Sequence, residues 1–239
     1  MYLVGIVPLV ILMVARRDLK ESSRFERDVK GKPKASLWHI WSTPHRKRVL
    51  QLALIWGLTY VCTNNAVTFW KQFVVDERQF TDAQVGKAIS IAAVGSMPLV
   101  FYAGRLLDVI GRKRGAVVIF SIGILGTLGC YGLYGFWPLT GALVLGIFGA
   151  NGVMPVLNAF TSELFPTAQR ADAFAWANNL LGRIPYVLSP ALIGWAAKTI
   201  HWGPAMQLTT VGPALALVLI LLWLPETKSR ELDDTAFLH

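Results

Sequence analysis

The sequence predicts an all-α fold, a polytopic membrane helical bundle, and three observations carry that expectation. Of 239 residues, 54% are hydrophobic and only 15% charged, with a mean hydropathy of +0.48; a soluble domain carries about a quarter charged residues. Six apolar runs reach the roughly 20 residues needed to cross a hydrocarbon core. The basic residues are concentrated in alternate connections, as membrane topology requires, rather than spread evenly.

Seven apolar segments follow one another, at residues 2–15, 49–70, 84–107, 115–136, 138–162, 171–197 and 204–224. The first has only about fourteen residues, or about 21 Å at 1.5 Å rise per residue, against a core about 30 Å thick. It leads directly from Met1 into apolar sequence and ends on Arg16 and Arg17, unlike a signal peptide with its basic start and small-residue cleavage site. It reads as the second half of a helix whose beginning is missing. The expected organisation is a truncated transmembrane helix at 1–15, an interdomain linker at 16–48, a six-helix transmembrane domain at 49–224 and a tail at 225–239.

Orientation follows from the connections. The 16–48 stretch, the 104–115 hairpin, the 163–170 turn and the tail hold 18 of the 23 Lys and Arg residues, while the opposite side carries Lys71, Arg78, Lys87 and Lys198, and Arg183 lies within a helix. A basic hairpin crosses a bilayer with difficulty, so linker and tail are expected in the cytoplasm of a multi-pass protein in the cell membrane.

The same pattern argues against other classes. A net charge of +9 fits nucleic-acid binding in principle, but Arg112, Lys113 and Arg114 sit in a hairpin between two spans, which excludes nucleic acid and leaves contact with anionic lipid. His39, His45, His201 and His239 are scattered, with no metal-ligand spacing and no nucleophile motif, so neither an enzyme nor a cofactor is expected. Cys62 and Cys130 fall in different helices and read as packing residues.

Gly104–Gly115, with Gly104, Asp108, Gly111, Arg112 and Lys113, resembles the G-x-x-x-D-x-x-G-R-[RK] hairpin of the major facilitator superfamily. Glu21-Ser22-Ser23-Arg24-Phe25 is similar to that family's Pro-Glu-Ser-Pro-Arg motif, with Lys20 and Ser23 in place of both prolines. Glu163–Arg170 resembles its E-x-F-P-x-x-x-R turn, and Pro225–Lys228 the motif closing its last helix. The resemblance spans nearly the whole chain. It implies the C-terminal half of a twelve-helix carrier together with the end of the sixth helix, arranged as three-plus-three units, in sugar-porter-like or organic-ion and metabolite:proton symporter branches.

Glu21, Arg24, Asp108, Arg112, Glu163, Arg170 and Glu226 all lie at the cytoplasmic ends of helices, where carboxylates and guanidiniums can pair across neighbours. They are expected to latch that side shut; the alternative is that they anchor topology and cap helices. Gly104, Gly111 and Gly115 permit a turn too tight for a Cβ.

For the solute, Arg183 stands about 14–18 Å from the cytoplasmic end of its helix, near the bilayer midplane. Asn179, Arg183 and Tyr186, spaced by four and three, share one face. A guanidinium at that depth either grips a carboxylate in a forked contact or pairs with an acid from the missing N-terminal half. Asn65, Asn151 and Asn158 are further candidates, each able instead to bridge helices. Trp56, Trp176 and Tyr60 could stack on a solute or simply pack.

The expected function is alternating-access transport of a small solute, an organic anion or related metabolite. The alternatives are a sugar-transporter half or a fragment unable to transport alone. Sugar porters resemble the chain less, since Thr59-Tyr60 stands where their paired glutamines fall before Asn65-Ala66-Val67, and Asn158 where a tryptophan is expected. None of the 14 acids lies mid-helix, so protons as coupling ion would need a carboxylate from the missing half. Glycines 123, 126, 129, 132 and 135, with 146, 149 and 152 in the next helix, are expected to serve close packing.

Overall fold

A computed structural model describes residues 12–13 and 37–228. The chain divides into two compact units, Met1–Ser36 and Leu37–His239. Of the first, Leu12 and Met13 are described, and both are helical. The rest of that segment, most of the linker including Glu21 and Arg24, and the tail beyond Lys228 lie outside the described residues.

The second unit is a helical bundle, with no strand among the described residues. A 3-10 turn, Leu37–Ser42, precedes α1 (Arg46–Thr68), α2 (Trp70–Asp76), α3 (Asp82–Ile110), α4 (Arg112–Gly132) and α5 (Phe136–Glu163). Then come α6 (Arg170–Phe174), a π-helical segment Ala175–Leu181, α7 (Arg183–Ile200), α8 (Trp202–Thr209) and α9 (Val211–Trp223). By length and composition five stretches can cross a membrane: α3, α4, α5, Arg170–Ile200 and Trp202–Trp223.

Of the six spans expected from sequence, α1 is the one that falls outside this set. Its 23 residues are long enough, about 35 Å, but Thr59, Thr63, Asn64 and Asn65 dilute its apolar character, and these polar residues turn out to have partners or a cavity to line. The bundle also starts earlier than expected. Leu37–Ser42, read from sequence as linker, packs on the π segment: Trp176 Nε1 donates to the Leu37 carbonyl at 2.9 Å, and Trp38 and Trp41 meet the Trp176 ring edge-on at 4.7 and 5.1 Å between centroids.

Local chemistry sets the helix ends. Thr81 and Gln84 form a capping box at the start of α3, the Thr81 hydroxyl accepting from Gln84 N and the Gln84 side chain from Thr81 N, which satisfies two orphan donors of the first turn. Gly111 separates α3 from α4 at φ 96, a left-handed conformation that disfavours a Cβ. At the opposite end of the bundle Glu77 accepts from Trp202 N at 2.5 Å and Gly203 N at 3.3 Å, capping α8.

Two buried apolar clusters fill the bundle, one around Trp56, Phe120, Phe160 and Phe165, the other around Trp70, Phe73, Tyr131 and Leu139. In a bilayer, apolar burial gives helices little reason to associate, so contact distance decides. The glycine stripes meet face to face: a Cβ on Gly123 would stand 2.9 Å from Gly149 Cα, and one on Gly126 would stand 2.6 Å from Gly146 N. The α4–α5 pair is therefore packed backbone to backbone. Outward surfaces are apolar, with Phe101, Trp137, Trp195 and Leu222 among the most exposed side chains, as lipid-facing positions should be.

Candidate functional site

Two polar regions interrupt this apolar bundle. The first lies where α3, α4, α5 and the segment after α9 converge. Arg112, the first residue of α4, reaches the last residue of α5: its Nη2 stands 2.9 Å and its Nε 3.2 Å from Glu163 Oε1, with Nε 3.3 Å from Oε2. This is a forked guanidinium–carboxylate contact, and the two side chains are only 17% and 15% exposed. Asp108 adds a weaker, exposed contact at 3.4 Å from Arg112 Nη1, and the Thr227 hydroxyl donates to Glu163 Oε2.

Glu226 completes the cluster by a different route. Its carboxylate accepts from Arg112 N at 2.8 Å, Lys113 N at 2.9 Å, and Thr227 N and Lys228 N at 3.1 Å each. It thus caps α4 at the positive end of the helix dipole. Partial burial pushes the Glu226 carboxyl up, but the four N–H donors outweigh it and hold the group below its ordinary value. A depressed acid stabilises the fold above its unfolded pKa and loses that contribution as pH falls through the folded value. Glu226→Gln is accordingly expected to cost about 1 kcal/mol near neutral pH and to flatten the acid limb of a pH series of unfolding midpoints in detergent, whereas the unsubstituted chain destabilises below about pH 4.

Of the seven charged residues singled out in the sequence, Asp108, Arg112, Glu163 and Glu226 are brought together. Arg170 is not: its Nη2 reaches the Phe165 carbonyl at 3.5 Å, and its Nε is buried with no partner among the described residues. Glu21 and Arg24 lie outside the described residues. Sequence reasoning missed Thr227; for Glu226 the alternative of a helix cap is the one its contacts fit, although an acid two residues after a span gave no sign of which helix start it would face.

The second region is a cavity of about 330 Å3 between α1, α5 and α7, lined by Tyr60, Thr63, Asn64, Asn151, Met154 and Tyr186 among others, a volume in the range of small-molecule sites. Tyr60 OH donates to Asn178 Oδ1 at 2.7 Å, and the Tyr60 and Tyr186 rings meet edge-on at 5.4 Å. Arg183 lies close enough to act electrostatically on the Tyr60 hydroxyl.

The local backbone explains why Asn178 rather than Asn179 turns inward. Gly182 N bonds to Ala177 O at 3.1 Å, an i→i+5 bond that inserts an extra residue per turn and breaks the 3.6-residue register. Asn178 is 6% exposed, whereas Asn179 and Arg183 are exposed. The single face expected for Asn179, Arg183 and Tyr186 is therefore interrupted by the π segment. Gly182 fits tightly here, since a Cβ would stand 2.5 Å from Ala177 O and 2.8 Å from Trp56 Cβ.

The other amides divide. Asn151 lines the cavity, its Nδ2 donating to the Ile147 carbonyl. Asn65 is fully buried away from it, its Nδ2 donating at 2.7 Å to both Val61 O and Ser189 Oγ, which bridges α1 to α7. Asn158 is exposed and does not line the cavity. Trp56 donates from Nε1 to Thr161 Oγ1 at 3.1 Å and belongs to the packing. Thr63 and Asn64 were missed; a threonine–asparagine pair in an otherwise apolar run was the available signal.

A family model described as Major Facilitator Superfamily matches residues 1–179 and 52–237. The chain is 30% identical over 236 residues to a probable 4-methylmuconolactone transporter of Cupriavidus pinatubonensis, covering 96% of this chain and 54% of that protein. It is 27% identical over 225 residues to NiaP of Bacillus subtilis, a candidate niacin/nicotinamide transporter, covering 91% of this chain and 55% of that one. It is 28% identical over 148 residues to the 3-(3-hydroxy-phenyl)propionate transporter of Escherichia coli, covering 60% and 35%. The chain spans about half the length of the first two relatives. With its apolar multi-helix bundle, its hairpin at Gly111 and this match along nearly its whole length, the chain belongs to the Major Facilitator Superfamily, a family of membrane transporters of small solutes.

Proposed function

We propose that the chain is the C-terminal half of a secondary carrier that moves a small organic anion by alternating access, with the cavity at Tyr60, Asn151 and Tyr186 forming one wall of the solute path. The carrying observation is that polar wall, with Arg183 beside the Tyr60 hydroxyl and Asn178 holding that hydroxyl from behind. A guanidinium in a membrane helix calls for an anionic partner, and three of the relatives are named for 4-methylmuconolactone, niacin or nicotinamide, and 3-(3-hydroxy-phenyl)propionate, while two others are named for glucose and for organic cations and carnitine. A six-helix N-terminal half supplies the facing wall, as alternating access between two halves requires. In this reading linker and tail are cytoplasmic, and Arg112–Glu163 with its neighbours closes that side while the other is open. Protons, as coupling ion, would use a carboxylate of the N-terminal half.

The test is uptake of a panel of labelled carboxylates, amides and hexoses by cells producing the chain with and without an N-terminal half. Carboxylate uptake that needs both parts is the expected result. Arg183→Ala should lower it at least tenfold, the scale of one lost charge-assisted contact, and Arg183→Lys less. Unchanged carboxylate uptake in both variants removes the anion assignment. Tyr60→Phe, which removes the donor to Asn178, is expected to lower affinity about threefold to tenfold.

A further inference from the structure

A groove of about 390 Å3 runs along the surface where α3, α4 and α5 meet, lined by apolar side chains that include Leu99, Tyr102, Val109, Ile122, Leu145 and Phe148. Among the described residues Arg105 is the one charged side chain lining it. The neighbouring cations are already engaged: Arg112 with Glu163, Lys113 Nζ with the Leu221 carbonyl at 2.7 Å, and Lys228 Nζ with the Val109 carbonyl at 2.5 Å. Arg105 is exposed and forms no ion pair or hydrogen bond among the described residues. Arg114 is likewise exposed, and its spacing of four and eight residues from Val118 and Ile122 puts it on the helix face that borders the groove.

Depth makes this arrangement informative. Arg105 precedes the end of α3 by five residues, about 7.5 Å along the axis, so its long side chain reaches the headgroup level while its stem lies against apolar surface. An unpaired guanidinium there seeks phosphate, and the slot beneath it offers almost no polar group to a water-soluble ligand.

We propose that this groove binds an anionic phospholipid, with one acyl chain along Leu99, Val109, Ile122 and Leu145 and the phosphodiester on Arg105, Arg114 adding charge at the mouth. A zwitterionic lipid brings the same phosphate but sets its ammonium among these cations, so charge complementarity selects the anionic headgroup. The assignment is independent of the solute and of the reading of the solute cavity.

The experiment is native mass spectrometry of the full chain released from detergent after titration with phosphatidylglycerol or phosphatidylcholine, alongside unfolding midpoints with each lipid. Wild-type protein is expected to retain one phosphatidylglycerol roughly fivefold more tightly than phosphatidylcholine, the scale of one juxtamembrane cation. Arg105→Gln should erase the preference, and Arg105→Lys keep most of it. Leu145→Trp, which fills the slot, should weaken both lipids, and all variants should unfold with wild-type midpoints in lipid-free detergent. Equal retention of the two lipids by the wild type, a preference that survives Arg105→Gln, or equal stabilisation by soluble glycerol phosphate overturns the assignment. So does a Tyr102→Cys variant that cross-links to a polypeptide instead of being shielded by added phosphatidylglycerol.

Discussion

Glu163→Gln is expected to lower the free energy of unfolding by about 3 kcal/mol, the low end of the range for removing one partner of a buried ion pair. The low end applies because the side chains keep 17% and 15% of their exposure. The loss is electrostatic as well as geometric. Arg112 presents its fork to both Glu163 oxygens, and a glutamine offers one weaker acceptor while leaving the mostly buried guanidinium with the Leu107 carbonyl at 3.3 Å and the exposed Asp108 at 3.4 Å. The Thr227 hydroxyl, which donates to the second Glu163 oxygen, is left facing the amide group. Arg112→Leu combined with Glu163→Leu should recover most of the stability, since neither charge is then stranded. A double-mutant cycle read by denaturant unfolding in detergent checks this: additive single and double effects mean the pair is a topology anchor and no latch.

Gly149→Ala should be of similar severity, costing about 3 kcal/mol or more, the upper range for overpacking. A Cβ at Gly149 would stand 2.2 Å from Gly123 Cα and 3.2 Å from Gly123 N, and backbone cannot swing aside as a side chain can. The whole of α4 must then move off α5, losing the close van der Waals contact that holds helices together in lipid. Gly141 and Gly194 are the controls: each lies in a helix with nothing within 4 Å of an added Cβ, so alanine there should be neutral or stabilising by up to about 1 kcal/mol. Equal effects at all three positions, measured by thermal unfolding in one detergent, would refute the close-packing account.

The spans were the most legible feature. Apolar runs expected at 84–107, 115–136 and 138–162 correspond to helices at Asp82–Ile110, Arg112–Gly132 and Phe136–Glu163, because membrane thickness and the cost of unpaired backbone set a minimum length that composition alone reveals. The glycine spacing was legible for a similar reason at Gly123, Gly126, Gly146 and Gly149, since a repeat of small residues along one helix has few uses besides close approach; Gly135, expected in the same stripe, instead stands beyond the end of α4 at φ 82. Helix α1 was harder, because its amides and hydroxyls are paid for by partners on other helices: Asn65 by Ser189, Tyr60 by Asn178.

Pairing across helices was the illegible part. The sequence placed Glu226 among the charges of one membrane face, yet only the fold shows that its carboxylate accepts from two N–H groups at the start of α4 as well as from the two that follow it in its own segment. The expected face of Asn179, Arg183 and Tyr186 assumed an unbroken 3.6-residue helix, and the i→i+5 bond at Gly182 exchanges Asn179 for Asn178. Nothing in Ala175–Leu181 by itself announces that bond; it is sustained by the packing of Trp176 under the Leu37–Ser42 turn and of Gly182 against Trp56.

By itself, then, the chain's one-dimensional pattern determined where the strongly apolar rods run, where they turn and that small residues of α4 and α5 face a neighbour, since these answer to a uniform solvent that reads length and polarity. Which carboxylate meets which guanidinium, and which asparagine looks into the cavity, was decided only when the rods packed, because those contacts depend on rotations of one helix against another that no local run of residues encodes.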